Sequence, residues 1–278
     1  MRTGNCELCH LEDQQLCDSH YLPQRVYGVM RAPQLKSPHP VTLSGTDMKQ
    51  LSDQLRDYVF CQDCEQRLNK NGERWVLANI PDDYDSVFPL RTALQALTPI
   101  FVGEDLDLYD VTGVSAFEID KLLYFGISVF WRGAVHDWET TGGLKAPGVE
   151  LCAYEEPIRK FLMGEQPLPL GVALTVDIWH AKKVLQAAYP PTASHLPECQ
   201  RYWFYIPGII FSLYIGESIP AAVCGRDATK NILGVDVPAI NSIWAKTKSQ
   251  VQSSAVAPKM KLMLAEVAAI RSKKCPSS

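Results

Sequence analysis

The chain has 278 residues, 46% of them hydrophobic and 21% charged, with a formal net charge of −4. That length fits one large domain or two ordinary ones, and the composition is that of a soluble globular protein. The near-neutral total excludes any argument from bulk charge for or against nucleic acid as a partner.

In chain order, residues 1–80 contain two closely spaced cysteine pairs and few long apolar runs. Between the pairs, residues 31–45 are rich in Pro, Ser and Gly and read as a loop. Val59-Phe60 enters the second pair as a short strand, and residues 62–77 have helical character, with Asn71-Gly72 as a break or cap. So few hydrophobes do not build a core of ordinary size, and a structural metal is the usual remedy in a small module.

Beyond Pro81 the texture changes. Residues 82–89 form a polar connector, and 90–101 a short helix. Residues 118–131 are apolar almost all the way round a helix, which predicts a buried one. Residues 148–163 predict another, with Glu155, Glu156, Arg159 and Lys160 on its wet side and Pro157 in a first turn or at a break. Residues 172–179, 202–206 and 209–215 read as strands, and 238–271 as one or two terminal helices. The expected fold class is α+β: a small metal-stapled module over residues 1–80, then a larger mixed α/β domain over 81–278.

Residues 202–223 are the most apolar stretch. Pro207, Gly208, Gly216, Glu217 and Pro220 interrupt it, so a strand pair is expected there and not a membrane span. The chain opens on polar residues and a cysteine pair, without a charged segment followed by an apolar run. Nine cysteines are an odd number. Together these features predict a cytoplasmic protein whose paired cysteines are metal ligands and not disulfides.

Cys6-Glu-Leu-Cys9 and Cys61-Gln-Asp-Cys64 are two C-x₂-C pairs. Each spacing forms a knuckle that sets two thiolates side by side, and two knuckles complete a tetrahedral S₄ site suited to Zn²⁺. Cys17 and His10 are close enough in sequence to compete as ligands. Cys152, Cys199, Cys224 and Cys275 read as ordinary thiols. Four cysteines leave a zinc no open position, so the ion is expected to be structural.

The segment between the pairs holds Ser19-His20-Tyr21-Leu22-Pro23, and Glu65 follows the second pair directly. This order, C-x₂-C, then His-x-x-Pro, then C-x₂-C-Glu, resembles the zinc-stapled HNH, or ββα-metal, endonucleases over roughly residues 6–75. The resemblance implies that His20 is the general base that activates water. It also implies that Glu65 stands where the Asn or His of the metal-binding helix sits, able to hold Mg²⁺ or Mn²⁺. Glu73 would share a face with Glu65 if the helix persists. Ser19 departs from the pattern, which usually has a metal-ligating Asp there, although Asp18 is adjacent. Ser128-Val-Phe-Trp131-Arg132 and Glu155-Glu156-Pro-Ile-Arg159 are similar to segments of bacterial and mobile-element proteins with HNH-like modules, which implies a setting in phage defence. Read from the residues alone, Trp131-Arg132 is an aromatic and its stacked cation at the edge of the core.

The implied partner is DNA or RNA, with a protein partner or a second copy of the chain as further options. Arg25, Arg67 and Arg74 would grip the backbone together with the C-terminal segment, where seven Lys/Arg after Asn241 face one acid, Glu266. A solvated helix face is the plain alternative for that basic segment. Residues 1–80 carry nine Lys/Arg against ten acids and have no positive field of their own. The alternative function is a non-catalytic zinc ribbon that binds nucleic acid or protein, with His20 a core residue.

Overall fold

The computed structural model describes residues 2–30, 41–44, 47–50, 54–82, 86–103, 106–140, 143, 145–179, 184, 187–195, 199–219 and 231–235. The terminal helices and basic segment expected beyond position 237 lie outside these residues. The fold is mixed α plus β and divides into two compact units, Met1–Met30 with Asp53–Asp236, and Arg31–Ser52 with Val237–Ser278. Residues on both sides of position 80 therefore share the first unit.

The first unit opens with strands β1 (Arg2–Gly4) and β2 (Gln14–His20), followed by helix α1 (Gln24–Met30). In the second unit, β3 (Val41–Ser44) and β4 (Asp47–Gln50) form an antiparallel pair. Part of the stretch read as loop is thus strand; Val41, Thr42 and Leu43 contribute the β-branched and apolar residues that favour it. Back in the first unit, β5 (Arg56–Cys61) pairs with β2 to complete a three-stranded sheet in the order β1-β2-β5.

The β2–β5 register is uneven. Leu16 lies opposite Cys61 and Asp18 opposite Tyr58, so two steps on β2 meet three on β5. The extra residue breaks the alternation of β5, and Val59, Phe60 and Cys61 are buried in succession.

Helix α2 (Gln62–Leu68) starts directly on β5. Asn71-Gly72 does not end it. The chain continues through a π-helical turn, Asn69–Glu73, into α3 (Arg74–Ala78). The reason is close packing. A Cβ on Gly72 would lie 2.9 Å from the backbone nitrogen of Phe125, so only glycine lets this turn reach the neighbouring helix.

Helix α4 (Pro89–Gln95) begins with proline at its first position, and residue 101 lies in a short strand instead. A seven-stranded sheet follows, built from β6 (Phe101–Val102), β7 (Leu106–Asp110), β8 (Val172–Trp179), β9 (Tyr189–His195), β10 (Gln200–Ile206), β11 (Ile209–Ile215) and β12 (Asn231–Val235). Its order is β6-β7-β12-β8-β11-β10-β9, antiparallel except where β12 meets β8. The β10–β11 turn places Pro207 before Gly208, whose φ of +87° is the left-handed conformation that a type II turn asks of glycine.

Helix α5 (Ile119–Val135) is the buried helix that the all-round apolar pattern predicts; every residue from Tyr124 to Gly133 is buried. Phe125 meets Phe204 and Phe211 edge-on at 6.1 and 5.4 Å, and those two rings stack at 4.7 Å. Helix α6 (Glu155–Met163) starts later than the sequence pattern implies, with Pro157 in its first turn, and ends on Gly164 at φ +76°. No helix among the described residues is long and apolar enough to cross a membrane.

Candidate metal centre and the junction beside it

The first knuckle is a tight turn before β2. The Cys6 amide donates to Leu11 O at 3.1 Å and the His10 amide to Cys6 O at 2.8 Å, while His10 and Asp13 hold φ of 58° and 55°. The second knuckle straddles the start of α2, with Cys61 at the N-cap and Cys64 one turn on. The Sγ atoms of Cys6, Cys9, Cys61 and Cys64 all lie within 4.8 Å of one another, with Cys6, Cys61 and Cys64 buried.

The set fits a four-coordinate ion. A tetrahedron with metal–sulfur bonds of about 2.3 Å has sulfur–sulfur edges of about 3.8 Å, and Cys9 Sγ lies 3.9 Å from Cys61 Sγ. The Cys61 amide donates to Cys6 Sγ at 3.3 Å, the kind of bond that stabilises a thiolate. The Cys6 thiol is pulled down to about 4, first by a hydrogen bond from Cys64 and against the penalty of burial. The same bond pushes the Cys64 thiol up. A bound metal ion would replace the protons these thiols otherwise share.

The rival ligands stand apart from this cluster. His10 is exposed on the turn. Cys17 donates to Gln62 Oε1 at 3.3 Å, and burial, then the charges of Glu65, Cys61 and Cys6, pushes its thiol up.

His20 ends β2, half-buried, directly opposite Arg56 on β5. Ser19 points inward. It is 1% exposed; its hydroxyl accepts from the Phe60 amide at 3.3 Å and donates to Cys17 O at 3.4 Å. Asp18 lies on the outer side, and its carboxylate accepts from Arg56 Nη1 at 2.6 Å. Glu65 sits in the first turn of α2, with Oε1 buried and without a hydrogen-bond partner. Glu73 accepts from Arg132 Nη2. Two of the carboxylates near His20 are therefore paired with arginines.

Arg132, one of those arginines, and Arg159 have roles that the sequence reading missed. Arg132 is not at the edge of the core: its side chain is 2% exposed and lies over the Phe60 ring, which also stacks on Trp131. Besides Glu73 it reaches His20 O at 3.2 Å and Tyr21 O at 3.4 Å. Arg159 is not on the wet side of α6. It chelates Glu156 at 2.6 and 2.9 Å and donates to Leu8 O, inside the first knuckle, at 2.8 Å. The signal available in the sequence was an apolar residue directly before each cation, Trp131 before Arg132 and Ile158 before Arg159, since a charge drawn into the core beside it needs partners. Of the arginines read as backbone grips, Arg25 pairs with Asp82 at 2.7 Å and Arg67 donates to Met163 O at 3.0 Å.

The chain matches no family model, no curated protein and no solved structure.

Proposed function

We propose that the chain acts on nucleic acid as a zinc-stapled, HNH-like endonuclease. What supports this is one arrangement: β2 ends on His20, β5 returns antiparallel beside it, and α2 starts at once with Glu65 in its first turn. The four thiols lie at the other end of this strand pair, where Cys61 faces Leu16 and β5 passes into α2. A Zn²⁺ filled by four cysteines takes no part in the reaction and pins the strand against the helix. His20, as a neutral imidazole, accepts the proton of the attacking water. Glu65 contributes a carboxylate to a Mg²⁺ or Mn²⁺ ion, which when bound offsets the charge that develops on the phosphate. Asp18 would be available as a further ligand, since its pairing with Arg56 is an exposed one and worth only ~0–1 kcal/mol.

A second reading, a non-catalytic zinc ribbon that binds nucleic acid or protein, is favoured by one observation. Ser19 replaces the usual acid and turns its hydroxyl into the sheet. Incubating the protein with plasmid DNA and with RNA, in Mg²⁺ or Mn²⁺, separates the two. The nuclease reading expects cleavage that depends on the added ion and is lost in His20→Ala. Cleavage unaffected by that substitution rules out His20 as the base. Salt-sensitive binding without cleavage supports the ribbon.

A further inference from the structure

The end of β2 is held from α5. Arg132 directs Nη1 at the carbonyl oxygens of His20 and Tyr21, at 3.2 and 3.4 Å, and Nη2 at the Glu73 carboxylate on the π-helical turn after α2. Trp138 adds a second hold. Its Nε1 donates to Arg132 O at 2.8 Å, and its ring stacks on Tyr21 at 5.3 Å with 5° between the planes. The residue carrying the proposed base and its successor are thus gripped through their backbone, and the same guanidinium grips the helical segment that carries Glu65.

The chemistry of these groups is informative. One carboxylate oxygen and two carbonyl oxygens converging on one charge are what a hard cation takes from a protein. Here the charge comes from the chain itself. A guanidinium this deeply buried is stable only where its partners are fixed, and its planar fork sets their relative positions more tightly than an ammonium would.

We infer that Arg132 is the positioning residue of the candidate site: a built-in cation that locks the His20 end of β2 to the Glu73 turn of the α2–α3 helical segment. The inference rests on the nuclease reading for its catalytic consequence, but the lock is measurable without it. It also accounts for Arg132 in a helix whose other buried residues are almost all apolar.

The test compares Arg132→Lys, Arg132→Gln and Glu73→Gln in the full-length, zinc-loaded protein. Glu73→Gln acts at the more accessible end of the pair and guards against a failure of the Arg132 variants to fold. Two readouts are independent of activity: hydrogen exchange of the segment 19–23, and carbethoxylation of His20 followed by mass spectrometry. Both are expected to accelerate by about 10-fold or more in Arg132→Gln and Glu73→Gln, with zinc content unchanged. Cleavage is expected to lose about 10²-fold in kcat with KM little altered, and Arg132→Lys to recover part of it. Unchanged exchange and labelling in Arg132→Gln and Glu73→Gln would overturn the lock. A kcat that stays at the wild-type level while exchange rises would overturn the positioning role. A wild-type protein that cleaves nothing defeats the nuclease reading alone, and the lock then stands or falls on exchange and labelling.

Discussion

Arg159 donates to the carbonyl of Leu8 at 2.8 Å across 151 residues of sequence. Leu8 is the residue between the thiols of the first knuckle that is itself fully buried, so its carbonyl needs a partner from the protein. Arg159 supplies one, and Glu156 neutralises the charge that Arg159 brings in. The cysteine knuckle is thereby braced by a helix from the far side of the sequence.

Arg159→Leu is expected to lower the unfolding free energy by about 1.5–3 kcal/mol, because a buried carbonyl loses a charged donor. Zinc should also exchange faster to a chromophoric chelator. The substitution changes the pH dependence as well. Arg159 holds the Glu156 carboxyl below its ordinary range. The wild type therefore has a contribution that is present above the ordinary carboxylate pKa and lost as pH falls through the depressed value. Urea unfolding at neutral pH and in acid checks this: the gap between the two proteins should narrow in acid.

Native mass spectrometry is expected to find one Zn²⁺ per chain, and Cys64→Ser to lose it. Chelation should melt the β1-β2-β5 sheet first, read as lost protection of β2 and β5 in hydrogen exchange, since the metal joins the turn before β2 to the start of α2. Acid should act in the same direction, as protons compete with the ion for the thiolates. A protein that keeps both protection and fold without metal would show that the four thiols are ordinary core residues.

Ser19→Asp would place an acid where the HNH pattern that the segment resembles has one, yet it is expected to destabilise rather than activate. The side chain is 1% exposed, and its hydroxyl serves both as acceptor and as donor. A carboxylate there cannot donate to Cys17 O and loses its hydration, at a cost of several kcal/mol. Ser19→Ala should cost less, about 1–3 kcal/mol, by leaving the Phe60 amide unpaired. Chemical denaturation ranks the two variants.

Gly72→Ala tests the close approach of the π-helical turn to α5. The added methyl would sit 2.9 Å from the backbone nitrogen of Phe125, and backbone gives way less easily than a side chain. A loss of about 1–3 kcal/mol is expected, against the small gain that alanine brings to an unhindered helix. Thermal unfolding of the variant distinguishes the two signs.

What the sequence determined by itself was local. A C-x₂-C spacing is a property of one turn, so the four ligand candidates were legible without a fold, and the cluster of their sulfurs agrees. Helix α5 was legible because residues 122–131 are apolar almost all the way round, and strands β8, β10 and β11 because each carries an alternation or a run of apolar and aromatic residues. Strand β9 was not: Pro190 and Pro191 argue against a strand, and only its place at the edge of the sheet, where unpaired backbone is tolerated, makes it one. The continuation of α2 past Gly72 was likewise decided by the helix packed against it. At the junction, tertiary structure settled which polar groups were already engaged. The register slip between β2 and β5 lies beside an inward-facing Ser19, whose hydroxyl bonds across to Phe60. Arg56, from a strand 38 residues away, engages Asp18, and Arg132, 59 residues beyond Glu73, engages that acid. A short motif specifies which atoms lie within a turn of one another. Which buried charge meets which partner depends on elements that only the folded chain brings together.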